Sequence, residues 1–299
     1  MSDTHYTTES FKNVMISRLL QELTNGGINY IVTAGDLTDN GYDGVETCTC
    51  LNKYFPCFFS LNNCVVGGST VNQLQNFILN YADKIDTIIG KDHNFLITGN
   101  HDEYNGATRY PVLKYVAERE YPVARDLCYE DLFYERTLSE NLVLLCCGKF
   151  ATKKVCDWLR ERLVIIQREQ KKCIISQHYC LTGEFSPDVS EEWMTTAQRT
   201  YLYNTIEPFL NVILGIHVGH RHVTALYETT TTNGSKFLEI YGAGILVNDG
   251  IAVDTLNSFI NGIHVTYNNS VPETSVNDTY HYMIANWNPL QNLFNLKIS

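Results

Sequence analysis

Short apolar runs rich in β-branched residues recur along the first two thirds of the chain. They occupy residues 30–34, 95–98, 173–176 and 212–214. Runs of this length, bounded by glycine or polar residues, are typical of buried strands. We therefore predict a strand in each of these four places.

Longer segments with a helical spacing of apolar residues lie between these runs. The spacing holds over residues 11–23, 74–88 and 155–166, and the first two segments stop at Asn25 and Gly90. A glycine just beyond a periodic stretch is a helix stop signal. We predict three amphipathic helices whose apolar faces form core and do not contact a cofactor.

Beyond residue 222 the pattern becomes mostly β, with runs at 223–227, 236–241 and 262–267. No linker and no internal repeat interrupts the chain. We predict one mixed α/β domain over residues 1–299, in which residues 223–299 form a mostly β C-terminal part.

Polar residues suited to metal binding lie in segments 3–5, 35–39, 99–102 and 219–222 and at His178. Most of them directly follow a predicted strand, and the carboxyl ends of strands in open α/β sheets surround one crevice. Carboxylate, imidazole and amide oxygen suit ions such as Mn, Fe, Zn or Ni, and the set is too rich for one ion. We expect two divalent or trivalent ions that share a carboxylate.

The motif order across these segments is Asp-x-His, Gly-Asp-x-x-Asp, Gly-Asn-His-Asp, His and Gly-His-x-His, and it spans residues 3 to 222. This order resembles the calcineurin-like metallophosphoesterase superfamily. The resemblance implies a four-layer α/β/β/α sandwich of two mixed β-sheets flanked by helices, with a dinuclear centre at the strand ends. By motif position it implies that one ion is held by Asp3, His5, Asp36 and His222, and the other by Asp36, Asn100, His178 and His220.

The chemistry of such a centre explains the residue types. Two ions about 3.5–4 Å apart can hold a bridging hydroxide for in-line attack on a phosphoryl group. The resemblance leaves His101 outside both ion sites, where it would stabilise the transition state or protonate the leaving oxygen, and Asp39 would orient it. We predict a metal-dependent hydrolase of a small phosphodiester or phosphomonoester. A phosphoprotein phosphatase and a non-catalytic scaffold of the same fold are the alternatives.

Taken alone, each of these residues has an ordinary structural explanation. An isolated Asp-x-His is usually a solvated turn, Asp39 alone is a typical helix cap, and His178 alone is a typical hydrogen-bonded core histidine. Their joint occurrence in order favours the ligand interpretation. Two interpretations of Arg221 remain: it contacts the substrate phosphate, or it is an ordinary surface charge. Four histidines belong to no motif and are expected to be structural or exposed: His93, His217, His264 and His281.

Charge and composition restrict the partners. The chain has 22 Lys and Arg against 33 Asp and Glu, a net charge of −11, which opposes the electrostatic binding of duplex nucleic acid. No apolar stretch approaches the roughly 20 residues of a membrane span, so we expect a soluble protein. The ten cysteines show no disulfide framework, which favours reduced thiols and a cytoplasmic location.

A segment rich in cysteine and aromatic residues occupies residues 43–70, and it contains Cys48, Cys50, Cys57 and Cys64. Four cysteines in a short span could bind a structural zinc, but Cys-x-Cys does not match the usual Cys-x₂-Cys spacing. We favour an irregular insertion that could line the substrate crevice. Substrate specificity is expected to reside in this insertion and in residues 179–195.

The N-terminal motif departs from the family pattern, because only Met1 and Ser2 precede Asp3 and no strand leads into it. Chain termini are mobile unless they are tied down. We therefore expect Asp3 and His5 to be the least firmly held of the ligands, as they would be in a fragment or with an altered sheet edge.

Overall fold

The computed structural model describes residues 2–6, 20–21, 23–25, 29–38, 73–103, 109–120, 132–181, 194–221, 225–241, 262–267, 282–288 and 293–297. In this part of the chain, helices flank two β-sheets that pack face to face. A further sheet lies near the C-terminus.

The larger sheet has six strands in the order β3-β4-β5-β6-β8-β7. These are Tyr134–Ser139 (β3), Leu142–Cys146 (β4), Lys172–Ser176 (β5), Ile213–Val218 (β6), Ala225–Thr230 (β7) and Lys236–Tyr241 (β8). Strands β4, β5, β6 and β8 are parallel, and β3 and β7 pair antiparallel at the two edges. The carboxyl ends of the four central strands therefore lie at one edge of the sheet.

The smaller sheet is a parallel pair, Ile31–Ala34 (β1) and Asn94–Ile97 (β2). The third sheet contains Gly262–Tyr267 (β9), Tyr282–Asn288 (β10) and Leu293–Lys297 (β11). In it, β10 is central, parallel to β9 and antiparallel to β11.

Besides the helical residues 20–21 and 23–25, the structure describes the α-helices Gln73–Phe77 (α1), Asp83–Ile89 (α2), Arg109–Glu120 (α3), Lys153–Arg168 (α4) and Thr196–Ile206 (α5). A π-helical segment, Ile78–Ala82, joins α1 to α2, and Gly90 ends α2 with a φ of 90° that favours glycine. Short 3₁₀ turns occupy Lys91–His93, His101–Glu103 and Glu207–Phe209.

The alternation of side chains along the strands determines where the hydrophobic clusters lie. In β4, Leu142 and Leu144 join a cluster with Phe95 and Ile97 of β2, which fills the space between the sheets. Other residues of the same sheet face helices α4 and α5; they include Val143, Leu145, Ile175, Ile216 and Val218. A third cluster packs the opposite face of the small sheet against α1, α2 and α3. Because side chains alternate across a strand, these clusters give the four layers of helix, sheet, sheet and helix.

The predicted strands at 30–34, 95–98, 173–176 and 212–214 are confirmed as β1, β2, β5 and β6, although their ends differ by a few residues. The runs at 223–227, 236–241 and 262–267 correspond to β7, β8 and β9. The helix predicted at 155–166 is α4, and the one at 74–88 is interrupted by the π-helical segment. Of the helix predicted at 11–23, residues 20, 21 and 23 are helical, and the remainder lies outside the described residues, as does the insertion at 43–70.

The elements absent from the sequence prediction are helices α3 and α5 and strands β3, β4, β10 and β11. Helix α5 carries threonine and polar residues around most of its surface, so no continuous apolar stripe marks it. A signal was nevertheless present, because Thr195 and Gln198 form a capping box at its start, with hydrogen bonds in both directions. The pattern Thr-x-x-Gln is a sequence signature of a helix N-terminus.

All five described cysteines are unpaired and buried: Cys146, Cys147, Cys156, Cys173 and Cys180. Burial raises the pKa of the Cys156 thiol to about 11 and that of Cys180 to about 12. No helix among the described residues is long and apolar enough to cross a membrane.

Arg119, at the end of α3, joins the helices to the small sheet. Its guanidinium donates two hydrogen bonds to the Asp86 carboxylate, at 2.6 and 2.5 Å, and one to the Asn94 carbonyl at 3.0 Å. The adjacent Glu120 accepts the Leu96 N–H of β2 at 3.1 Å and lies 3.2 Å from Arg136 of β3. This network provides hydrogen-bond partners for the Leu96 N–H and the Asn94 carbonyl of β2. It also connects β2 of the small sheet to β3 of the large sheet.

We predict that Arg119→Met destabilises the fold by about 3–5 kcal/mol, the usual cost of removing one partner from a buried ion pair. The Arg119 side chain is only 4% exposed, so Asp86 and Glu120 would lose a cation that water could not replace. Urea unfolding followed by circular dichroism measures the change. The control is Lys114→Met on the same helix, whose surface pair with Glu118 should contribute less than about 1 kcal/mol. Equal losses in the two variants would contradict the prediction.

Candidate metal centre

The N-terminal segment lies against the chain that follows β1. The backbone N–H groups of Asp3, His5 and Tyr6 donate to the carbonyls of residues 35, 36 and 37 at 2.9, 2.8 and 3.0 Å. Residues 2 to 5 are all buried, with Asp3 1% and His5 4% exposed. The expectation that these two ligands would be loosely held is wrong for this structure, because backbone pairing fixes them.

Asp36 lies at the centre of the site, directly after β1, and is fully buried. Its Oδ1 atom accepts the His101 backbone N–H at 2.9 Å. Its Oδ2 atom lies 3.5 Å from His5 Nε2 and 3.2 Å from His178 Nε2, and has no hydrogen-bond partner among the described residues. One carboxylate oxygen therefore faces two imidazole nitrogens that come from different loops.

His178 follows β5 and presents Nε2 to the site. Its Nδ1 lies 2.8 Å from the Ala34 carbonyl, which can only accept, so Nδ1 carries a proton and Nε2 would be the atom that binds an ion. Nε2 lies 2.8 Å from Asn100 Oδ1, and His220 Nδ1 lies 3.0 Å from the same oxygen. Ligand atoms of Asp36, His178 and His220 all lie within 4.8 Å of one another. Imidazole, carboxylate and amide oxygen converge here, which is a suitable set for a transition metal.

A second group contains His5, Asp36 and His101, whose ligand atoms also lie within 4.8 Å of one another. The His5 and His101 rings meet edge to face, with centroids 4.5 Å apart. The Asp3 carboxylate accepts the His220 backbone N–H at 2.8 and 3.0 Å, which links the first motif to the last. Two predicted site residues, Asp39 and His222, lie outside the described residues, and Arg221 is exposed beside His220.

The backbone at these residues is strained. Among the described non-glycine residues, five have a positive φ, and four of them are predicted ligands: Asp3 at 52°, His5 at 38°, Asp36 at 50° and His220 at 71°. This conformation costs about 1–3 kcal/mol per residue and is concentrated at functional sites in proteins. The concentration of strain at these four positions supports a functional role for the centre.

Two motif glycines allow the loops to approach each other. A Cβ atom on Gly99 would collide with the backbone nitrogen and carboxylate of Asp36, and one on Gly219 would lie 2.6 Å from Ser2 Cβ and 2.8 Å from the Ala34 carbonyl. Side chains at either position would separate the loops that carry the predicted ligands.

Asp102 is a site residue to which the sequence assigned no role. Its buried carboxylate accepts the N–H groups of Leu37 at 3.1 Å, Thr38 at 2.9 Å and Gly99 at 2.9 Å, and the Thr38 hydroxyl at 3.0 Å. Burial and the nearby charge of Asp36 raise the pKa of Asp102 to about 7, although these hydrogen bonds oppose the shift. The carboxylate ties the loop after β1 to the loop after β2. Its place in the Gly-Asn-His-Asp motif was the only sequence signal.

The electrostatics of the centre favour a cation. Burial opposes ionisation of Asp36, but the His178, His5 and His101 imidazoles outweigh it and hold the pKa of the Asp36 carboxyl below its usual range. Burial likewise opposes the charged form of His178, and the Asp36 charge outweighs it and raises the His178 pKa to about 9. The unpaired Asp36 Oδ2 and the nitrogen, carboxylate and amide donors around it fit a bound metal ion.

Comparison with known proteins gives a consistent result. The family model described as calcineurin-like phosphoesterase matches residues 1–224. No curated protein sequence matches the chain significantly. A dimetal phosphatase from Danio rerio is similar in structure, with 11% identity and a TM-score of 0.50 over 82% of this chain and 86% of that one. Below 25% identity, such a likeness concerns the fold alone.

Two further solved structures are similar at lower scores. A purple acid phosphatase from yellow lupin seeds has 12% identity and a TM-score of 0.46, over 85% of this chain and 45% of that one. GAP50, the anchor in the inner membrane complex of Plasmodium, has 11% identity and a TM-score of 0.47, over 85% of this chain and 74% of that one. The chain thus spans less than half of the lupin enzyme.

We predict that Asp102→Asn destabilises the protein by about 2–4 kcal/mol. Each carboxylate oxygen of Asp102 accepts two hydrogen bonds, and an amide nitrogen in place of either oxygen could not accept them. Chemical unfolding of the metal-free protein gives the loss. Asp92→Asn is the matched control, since Asp92 is exposed in the turn before β2 and should change stability by less than about 0.5 kcal/mol. A neutral effect of Asp102→Asn would show that its hydrogen bonds are replaceable.

Proposed function

The chain belongs to the calcineurin-like phosphoesterase family, whose model matches residues 1–224, and we propose that it hydrolyses small phosphoesters with a dinuclear metal centre. The observation that carries the proposal is the buried Asp36 Oδ2 atom. It lies between His5 Nε2 and His178 Nε2 without a hydrogen-bond partner among the described residues. An oxygen in that position is suited to bridge two ions.

The proposed ligands divide into two sets that share Asp36. His178, His220 and Asn100 would hold one ion, in keeping with their contacts of 2.8 and 3.0 Å through Asn100 Oδ1. Asp3, His5 and His222 would hold the other. His5 is already next to Asp36, and the buried Asp3 is anchored on the backbone of His220. Mn, Fe, Zn and Ni are all compatible with these donors.

When bound, the ions would supply Lewis-acid activation of water and of the phosphoryl oxygens. The chain's own residues would position the reacting groups. Asp36 fixes the His101 backbone through Oδ1, and His101 remains half-buried with its ring against that of His5. We assign His101 the role of donating a proton or a hydrogen bond to the leaving oxygen, with Asp39 as its orienting carboxylate.

The proposed substrates are small phosphodiesters or phosphomonoesters. A panel of monoester, diester, cyclic nucleotide, pyrophosphate and phosphopeptide substrates, each assayed with Mn, Fe, Zn and Ni, tests this. Preferential cleavage of the phosphopeptide would favour a phosphoprotein phosphatase. Absence of turnover on the whole panel, with both ions bound, would favour a binding scaffold.

A single domain over residues 1–299 and a cytoplasmic location are also proposed. The five unpaired cysteines of the described residues support the second proposal, because disulfides are rare in that compartment.

We predict that Asp36→Asn reduces turnover to below a few per cent of wild type and leaves the fold intact. Loss of the shared negative charge would weaken both ions together. Activity at saturating metal and metal content by elemental analysis are the measurements. Asp157→Asn, on the exposed surface of α4, is the control and should retain full activity. Substantial turnover by Asp36→Asn would contradict the shared-carboxylate assignment.

We predict that His101→Ala lowers the catalytic rate by about 10²–10⁴-fold, the usual contribution of acid or electrostatic assistance. Both ions should remain, because His101 is assigned to neither. Elemental analysis of the purified variant is decisive on this point. A variant that retains one ion would show instead that His101 is a ligand, which its place within 4.8 Å of His5 and Asp36 allows.

A further inference from the structure

Glu239 is a fully buried carboxylate outside every motif of the metal centre. It lies in β8 between Phe237 and Tyr241, which face the core beneath helices α4 and α5. By strand alternation Glu239 points to the same apolar side. A carboxylate in such a position is costly unless it is fully hydrogen-bonded, and an apolar residue would suit the core better. Its presence there therefore needs an explanation.

The carboxylate is hydrogen-bonded through both oxygens. Oε1 accepts the Leu181 backbone N–H and the Tyr241 hydroxyl, the latter at 2.9 Å. Oε2 accepts the Thr229 hydroxyl at 2.9 Å. Tyr241 and Thr229 belong to the same sheet as Glu239, whereas Leu181 belongs to the loop after β5, 58 positions away along the chain. Glu239 thus makes a long-range contact with this loop.

That loop carries a proposed metal ligand, His178, three residues before Leu181. The Tyr203 hydroxyl of α5 donates to the Leu181 carbonyl at 3.2 Å, so both backbone groups of Leu181 are held. At the other end, the His178 and Tyr179 N–H groups donate to the carbonyls of residues 148 and 149, at 3.1 and 2.8 Å. The Gln177 side chain donates to the Tyr179 carbonyl at 2.6 Å. Segment 177–181 is therefore fixed at each end.

The segment also supports the second histidine of the same ion site. The Tyr179 ring is buried and meets the His220 ring edge to face, with centroids 4.8 Å apart. The Phe150 ring also stacks on the Tyr179 ring, with centroids 5.8 Å apart. A displacement of the segment would move His178 directly and remove the packing that orients His220.

We infer that Glu239 is a positioning residue for the metal centre, because it holds segment 177–181 and thereby sets the geometry of His178 and His220. The inference rests on the proposed function for the identity of the bound group. Partners that orient metal ligands typically change metal affinity by about 10–100-fold when they are removed.

The experiment compares four variants with wild type. Glu239→Ala removes the acceptor for Leu181. Glu239→Gln retains it, since its amide oxygen can accept from Leu181 and its amide nitrogen can donate to the Thr229 hydroxyl. Thr229→Val perturbs the carboxylate at Oε2 without removing the acceptor for Leu181. Tyr203→Phe releases the Leu181 carbonyl and leaves Glu239 in place, so it serves if Glu239→Ala does not fold.

Two quantities are measured: amide hydrogen exchange of residues 177–181 in the metal-free proteins, and Mn²⁺ affinity by calorimetric titration. Glu239→Ala should speed exchange in this segment and lower Mn²⁺ affinity by about 10–100-fold. Tyr203→Phe should change both in the same direction and by less. Glu239→Gln should match wild type in both, and Thr229→Val should lower the melting temperature without changing Mn²⁺ affinity.

Two results would overturn the inference. One is unchanged exchange and unchanged Mn²⁺ affinity in folded Glu239→Ala, or in Tyr203→Phe if the alanine variant does not fold. The other is an equal loss of Mn²⁺ affinity in Thr229→Val. That result would show that the loss in Glu239→Ala follows from lower stability of the whole protein. Failure of wild type to bind Mn²⁺ counts against the proposed function, and it is distinguishable because the exchange measurement contains no metal.

Discussion

Two imidazole nitrogens, of His5 and His178, face the same buried oxygen of Asp36, and three separate loops have to meet at one point for this to happen. The structure brings them together by backbone pairing of residues 3–6 with residues 35–38 and by the Asp102 carboxylate between the loops after β1 and β2. The strained φ angles at four predicted ligands are tolerated because these contacts over-determine the backbone. Rigid strands supply the frame, and the loops supply the chemistry.

Buried carboxylates recur at each level of this arrangement. Asp36 offers an oxygen to the centre, Asp102 fixes the loops that carry it, and Glu239 holds the segment that carries His178. Burial of a charge is expensive, and the last two are compensated by several donors each. The chain thus uses hydrogen-bonded acidic residues in its interior as connectors between elements that are distant in sequence.

Seven of the strands, and the gathering of Asp36, His178 and His220 at one place, could be predicted from the sequence because both have local signals, whereas the assignment of these residues as metal ligands stays a prediction. β-branched runs marked β1, β2, β5 and β6, and the motif order indicated which residues would gather at their ends. Asp102 and Glu239 could not be assigned in this way, because their partners are fixed only by tertiary packing; the Glu239 contact with Leu181 spans 58 positions. Tertiary contacts also fix the positions of Asp3 and His5, because their pairing with the loop after β1 has no signature in the sequence of residues 1–6.

The buried cysteines have a practical consequence. A thiol reacts with alkylating reagents as the thiolate, and burial that raises a thiol pKa to about 11 or 12, as at Cys156 and Cys180, suppresses that form. Cys156 lies within α4 and Cys180 in the segment that follows β5, so reagent can reach each of them only through a different opening of the fold. The rate at which each thiol is labelled in native conditions would therefore report the free energy of that opening. Cys156 would report on helix α4 and Cys180 on the site, without any introduced probe.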